Sequence, residues 1–112
     1  MSKAILFTES SPNVGGQELQ LMQQMRQLAQ LGYLPVLACR PGTRVAAVAQ
    51  EQGLQVLPVR FRNSVHLPSI AILRRWIATY RPGLAVCHSG HDSNNLAIAA
   101  RLVRHRPFLL RS

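Results

Sequence analysis

The sequence predicts an α/β fold, a parallel, doubly wound sheet of about five strands with helices on both faces. Short apolar, strand-like runs alternate with longer segments in which apolar residues recur at helical spacing. Glycine, proline and small polar residues separate the two kinds of segment. The 112 residues are enough for one domain, and no internal repeat or linker-like segment divides them.

The first part of the chain predicts three strands and two helices. Gly32 is the expected C-cap of the first helix, and Gly53 ends the second, for which Thr43 is the expected N-cap. The predicted buried face of the first helix consists of Leu21, Met25, Leu28 and Ala29. In chain order these elements cover residues 3–8, 17–31, 33–39, 43–52 and 54–61.

The second part continues the alternation. Pro68 begins a helix whose apolar stripe is flanked by arginines, and Arg81-Pro82-Gly83 ends it. Its predicted stripe consists of Ile70, Leu73, Ile77 and Tyr80, and that of the last helix of Leu96, Ala99, Ala100 and Val103. In chain order these elements cover residues 68–80, 84–87, 94–104 and 107–110.

Right-handed βαβ crossovers lead to the predicted strand order 3-2-1-4-5. In that order the last strand lies at a sheet edge, where a chain that stops at Ser112 would leave backbone groups unpaired. We therefore expect the natural protein to continue beyond this domain. An uncovered edge also predicts association of the chain with a second copy.

The charge of the chain is strongly positive. Thirteen Lys and Arg oppose four Asp and Glu, which gives a net charge of +9. The surface should attract anions, and phosphorylated substrates, acidic lipids and nucleic acid would all satisfy that charge. No aromatic stacking platform is visible, so nucleic acid is not the predicted partner. The sequence lacks a membrane-spanning run and a signal peptide, which predicts a cytoplasmic location.

The two cysteines are predicted to be small buried residues. Cys39 and Cys87 end strands on either side of strand one, so they lie about 9–10 Å apart, which is too far for a disulfide. Neither has a neighbouring cysteine at zinc-ligand spacing, and no metal site is predicted from them.

In an open parallel sheet, ligands bind where the strand order reverses, which here is the cleft between the carboxyl ends of strands one and four. Gly15 and Gly16 allow a ligand to approach the backbone closely, and the helix that starts at Gln17 directs free N–H groups toward it. A phosphate or carboxylate is the expected ligand. The alternative is that the two glycines only make a tight turn.

The same loop lacks the features of two common nucleotide-binding motifs. The chain has neither G-x-G-x-x-G nor an acidic residue after strand two, where Arg40 stands instead. NAD binding is therefore not predicted, although Arg40 leaves open a site for the 2′-phosphate of NADP. A Walker A loop is excluded because it requires Gly-Lys-Ser/Thr.

On the other side of the cleft, the loop after strand four is rich in polar residues. His88 is placed to donate a hydrogen bond or to act as a base, with Ser89 beside it. His88, His91 and Asp92 form a conceivable metal cluster, but a solvated loop is the simpler interpretation. Asp92 is predicted to be an N-cap of the last helix rather than a metal ligand. His66, in a different loop, is expected at the surface.

The arginine-rich helix over 68–80 allows two interpretations. With Trp76 among its arginines it could lie on an acidic membrane surface. The simpler alternative is a packing helix with a solvated cationic face.

Five segments together resemble the N-terminal domain of family 4 glycosyltransferases, which are GT-B enzymes with two Rossmann-like domains. They are Ile5-Leu6-Phe7, Asn13-Val14-Gly15-Gly16-Gln17-Glu18, Phe61-Arg62-Asn63-Ser64, Arg81-Pro82 and His88-Ser89. The resemblance implies transfer of a sugar from a nucleotide-sugar to a glycan or glycolipid acceptor, with retention of configuration and without a metal or cofactor. It also implies lipopolysaccharide or capsule synthesis at the inner membrane.

The resemblance also implies roles for individual residues. His88 would be the catalytic residue that follows strand four, and Gly15 and Gly16 would face the phosphates of the donor. The cleft for the donor phosphates and the acceptor would be formed by Asn13, Gly15, Gly16, Gln17, Ser89 and Asp92.

The chain also departs from the family pattern. It reads Gly83-Leu84-Ala85-Val86-Cys87-His88 where the family often has Asp-Val-Val-His-x-His, so only the last histidine is kept. The C-terminal donor-binding domain is absent from residues 1–112, and we expect this chain alone to be inactive. A non-catalytic nucleotide- or anion-binding Rossmann-like module is the alternative from another functional class.

Overall fold

The computed structural model describes residues 3–9, 16–62, 65–87, 90–104 and 106–111. Five parallel strands form one sheet in the order β3-β2-β1-β4-β5, which confirms the predicted topology. The strands are β1 (Ala4–Glu9), β2 (Leu34–Cys39), β3 (Gln55–Pro58), β4 (Leu84–Cys87) and β5 (Phe108–Arg111). The helices are α1 (Gly16–Gln30), α2 (Arg44–Glu51), α3 (Leu67–Tyr80) and α4 (Gly90–Arg101).

The side chains of β1 divide the core into two layers. Ile5 and Phe7 pack with residues of α1 and α2 on one face of the sheet. Ala4 and Leu6 pack with residues of α3 and α4 on the other. All six residues of β1 are buried because successive side chains point to opposite faces and helices cover both. The prediction of helices on both faces is therefore confirmed.

The helix faces agree only in part with the sequence pattern. Met22 is fully buried in α1, whereas Ala29, which was expected inside, is exposed. Of the described side chains of α1, those of Leu21, Met22 and Met25 are buried, and its last turn, apart from the half-buried Leu28, is exposed. In α3 the predicted apolar residues are buried except Tyr80, which is 47% exposed at the end of the helix. The four predicted apolar residues of the last helix pattern are all buried.

Two elements, β3 and α4, differ most from their predicted bounds. Strand β3 ends at Pro58 rather than at residue 61, because the chain turns away from the sheet and Phe61 adopts a left-handed backbone with φ of 48°. Helix α4 covers Gly90–Arg101 rather than residues 94–104. Asp92 therefore lies inside the first helical turn and is not the N-cap, a position that still favours a carboxylate because the helix dipole is positive there.

The predicted capping residues are confirmed at three helix ends. The Thr43 hydroxyl accepts a hydrogen bond from the backbone N–H of Ala46 at 3.3 Å. Gly32 and Gly53 adopt positive φ angles of 93° and 76° directly after α1 and α2. At the end of α3 this conformation falls on Arg81, whose N–H donates to the Ile77 carbonyl oxygen, and the following proline cannot continue the helix.

Both cysteines are buried and free, as predicted. Burial raises the pKa of the Cys39 thiol to about 11, and the nearby Glu9 carboxylate adds to the rise. Because the thiolate is the reactive form, Cys39 is a core residue and not a nucleophile at neutral pH.

Candidate functional site

The carboxyl ends of β1 and β4 are adjacent, with Thr8 paired in register with Cys87. Helix α1 begins seven residues after β1 ends and α4 three residues after β4 ends, so each strand end at the β1–β4 cleft leads along the chain to a helix N-terminus. Gly16 and Gln17 are the first two residues of α1. The other predicted cleft residues, Asn13, Gly15, His88 and Ser89, lie outside the described residues.

Asp92 is the predicted cleft residue whose environment is seen directly. Its side chain is fully buried and accepts a 2.6 Å hydrogen bond from the Thr8 hydroxyl at the end of β1. This short bond to a carboxylate joins α4 to the central strand across the base of the cleft. Asp92 therefore holds the first turn of α4 against the end of β1.

We expect Asp92→Ala to lower the free energy of unfolding by about 2 kcal/mol, because it removes a buried hydrogen bond to a charged group. Asp92→Asn retains an acceptor for the Thr8 hydroxyl and should cost less. Urea unfolding of the two variants and the wild type measures the difference. Equal midpoints for Asp92→Ala and the wild type would show that the bond does not hold α4 on β1.

A second feature of the carboxyl edge is a basic cavity of about 310 Å³ at the ends of β2 and β3. We call it the arginine pocket, and it is lined by Arg40, Pro41, Thr43, Arg60 and Arg62. Its described lining contains three guanidinium groups and no carboxylate. Such a cavity attracts anions.

Arg40 is held in the wall of this pocket by its neighbours. Its Nη2 donates to the carbonyl oxygen of Phe61 at 3.2 Å, which links the loop after β2 to the loop after β3. Its own carbonyl oxygen accepts a 2.7 Å hydrogen bond from the Thr43 hydroxyl. The Thr43 hydroxyl is thus engaged in capping α2. The guanidinium groups of the lining arginines are the groups that could donate hydrogen bonds to a ligand.

The chain between Arg60 and Arg62 is fixed by Phe61. The Phe61 ring is fully buried in the α3–α4 core layer, and its N–H donates to the buried Ser69 hydroxyl oxygen at 3.0 Å. A left-handed backbone at a residue other than glycine costs about 1–2 kcal/mol, and such strain tends to occur at functional sites. Here it positions the flanking arginines on one cavity.

His66 supports the same turn, which corrects its expected surface position. It is half-buried, and its Nδ1 shares a 2.6 Å hydrogen bond with the Ser69 hydroxyl. Its backbone N–H donates to the buried Asn95 side-chain oxygen at 2.8 Å. The start of α3 is thereby tied both to Phe61, through Ser69, and to α4.

Helix α3 borders a larger cavity, of about 530 Å³, against Leu57. Trp76 belongs to the core layer and stacks on Tyr80, with the ring centroids 4.8 Å apart. Arg74 and Arg75 are exposed. Because Trp76 is buried, the structure favours the packing-helix interpretation of this segment. In the parts of the chain that the structure describes, no helix is long and apolar enough to span a bilayer.

Two solved structures share this arrangement of strands and helices. A glycosyltransferase from Rickettsia africae ESF-5 superposes with a TM-score of 0.79 over 96% of this chain, at 16% sequence identity. This chain has a glycosyltransferase-like fold. MurG from Acinetobacter baumannii gives a TM-score of 0.73 over 96% of the chain, at 12% identity. No protein-family model and no curated protein matches the sequence.

The glycosyltransferase-like fold extends over only part of those enzymes. The chain covers 28% of the Rickettsia structure and 34% of MurG. It therefore corresponds in length to about a third of each.

The sequence singled out Arg40, as a possible site for a 2′-phosphate, but not Arg60 and Arg62, although one signal was present. Arg40 follows β2, and Arg60 and Arg62 follow β3. In the predicted strand order these two strands are neighbours, so residues just after them meet at one edge of a parallel sheet. The rule that ligands bind where the strand order reverses points to β1 and β4 instead.

Proposed function

We propose that this chain is the N-terminal, acceptor-side domain of a retaining family 4 glycosyltransferase. The supporting observation is the shared fold over 96% of the chain with two proteins of which it spans about a third. The remainder of such an enzyme would supply the donor-binding domain. The reaction is transfer of a sugar from a nucleotide-sugar to a glycan or glycolipid acceptor.

In this proposal the β1–β4 cleft faces the reaction. The N-terminus of α1, at Gly16 and Gln17, stabilises the donor phosphates because its free N–H groups and dipole favour an anion. Asn13, Gly15 and Ser89 complete the cleft, and His88 acts at the reacting atoms. Asp92 holds α4 in place through Thr8.

The cellular setting of the proposed enzyme is the cytoplasmic face of the inner membrane, in synthesis of lipopolysaccharide or capsule. The net charge of +9 and the exposed Arg74 and Arg75 support contact with acidic lipids. Strand β5 is an edge of the described sheet and exposes Phe108, Leu109 and Leu110. In this chain by itself, that edge would pair with a second copy.

The product of the whole reading frame provides the test. We expect it to contain a second βα domain with paired glutamates and to release nucleotide from a nucleotide-sugar only when an envelope glycolipid acceptor is present. The 112-residue chain should show no transfer. A natural stop after Ser112 together with specific anion binding would instead favour the non-catalytic module, a second candidate that the arginine pocket supports.

A further inference from the structure

The arginine pocket brings three positively charged side chains to one cavity, although none of the three is a core residue. Arg60 and Arg62 are exposed and Arg40 is half-buried, yet all three line one cavity. Like charges around a cavity repel one another, and the described lining residues include no acid that would offset them. An anion in the pocket would relieve this repulsion.

Arg40 supplies a second, independent indication of a ligand. Its Nε is buried and, among the described residues, has no hydrogen-bond partner. A buried N–H without an acceptor is costly, and native structures rarely leave one unexplained. Since Nη2 is already bonded to the Phe61 carbonyl, the side chain is held in position while part of its donor capacity is unused.

The geometry of the donors favours a phosphoryl group. Guanidinium groups bind phosphate in a bidentate manner, and a phosphoryl group offers three oxygens and up to two negative charges to three arginines. A carboxylate offers two oxygens and one charge. The cavity of about 310 Å³ has room for the phosphoryl group and part of the molecule that carries it.

We propose that the arginine pocket binds a phosphoryl group on the acceptor substrate. The assignment of the phosphoryl group to the acceptor rests on the proposed function, whereas phosphoryl binding by the pocket does not. Strands in a sheet lie about 4.8 Å apart, so the pocket at β2 and β3 is about 10 Å from the β1–β4 cleft along the same edge. A phosphorylated acceptor anchored there would extend its sugar toward the cleft.

The test is titration of the chain with inorganic pyrophosphate by calorimetry, at about 150 mM salt so that diffuse attraction is screened. The double variant Arg60→Gln/Arg62→Gln should weaken binding at least about tenfold, since each guanidinium contributes charge-assisted bonds. Its control, Arg26→Gln/Arg104→Gln, removes the same charge from exposed positions outside the pocket and should change binding less than about twofold. Circular dichroism checks that both variants fold.

Two results would overturn the proposal: no saturable pyrophosphate binding by the wild type, or equal weakening in both double variants. Tighter binding of 2′-AMP than of pyrophosphate would overturn the acceptor assignment in favour of a dinucleotide 2′-phosphate. If pyrophosphate binds at the pocket but the whole gene product transfers no sugar, the proposed function fails and the pocket stands.

A vesicle assay identifies the source of the phosphoryl group. Sedimentation with phosphatidylglycerol vesicles is compared for the same two double variants. Loss of vesicle binding in the Arg60→Gln/Arg62→Gln variant alone assigns the pocket to a lipid-borne phosphoryl group. Loss of pyrophosphate binding without any change in vesicle binding assigns it to a soluble phosphorylated acceptor.

Discussion

Nucleotide-sugar transfer should fall at least about 100-fold when Gly16→Val is introduced into the product of the whole reading frame, the loss typical of removing one positioned hydrogen-bond donor. Gly16 is the first residue of α1, the helix that follows β1. A branched side chain there would keep the donor phosphates from the N–H groups of the helix start. Steady-state kinetics with the nucleotide-sugar measures the loss.

Gly83→Val is the matched control for this variant. Gly83 precedes β4 at the opposite, amino edge of the sheet, and a Cβ added to it meets no described atom within 4 Å. It should keep wild-type turnover. Gly16→Val should unfold at nearly the wild-type urea concentration, and wild-type turnover in that variant would show that the turn has only a structural role.

The largest effect on stability is expected for Phe61→Ala, which should lower the free energy of unfolding by about 3–5 kcal/mol. The substitution removes a fully buried ring from the α3–α4 core layer. It also leaves a non-glycine residue in the left-handed conformation, with φ of 48°. A loss of this size is a large part of the 5–15 kcal/mol of total stability that is ordinary for a domain.

Two further variants separate the ring from the backbone. Phe61→Gly removes the same ring but relieves the left-handed strain, so it should lose about 1 kcal/mol less than Phe61→Ala. Phe108→Ala deletes a ring that is 70% exposed on β5 and should change stability by no more than about 0.5 kcal/mol. Equal losses for Phe61→Ala and Phe108→Ala would place Phe61 outside the core. Urea unfolding measures all three.

The arginine pocket is formed by residues that follow two neighbouring strands and not by a continuous motif. Arg40 is separated in sequence by about twenty residues from Arg60 and Arg62, and Phe61, which links them, is fixed by Ser69 in α3. No single segment carries the site. Its detection requires both the strand order and the exact course of the chain after β3.

Local periodicity in the sequence was enough to determine the architecture. Apolar runs bounded by turns placed β1, β2 and β4 within one residue of their observed ends, and Thr43 and Gly32 marked helix ends. The strand order followed because right-handed crossovers leave few arrangements of five such strands. These features depend on residues close together in the chain.

Only the tertiary structure decided which side chains meet. The sequence placed Asp92 before the last helix, whereas it lies in the first turn of α4 and bonds to Thr8, 84 positions away in the chain. Trp76 is buried and Ala29 exposed because the fit of each helix against the sheet, and not its apolar pattern, determines the depth of each position. The convergence of Arg40, Arg60 and Arg62 likewise arises when β2 and β3 pair, since pairing brings together charges that no local pattern relates.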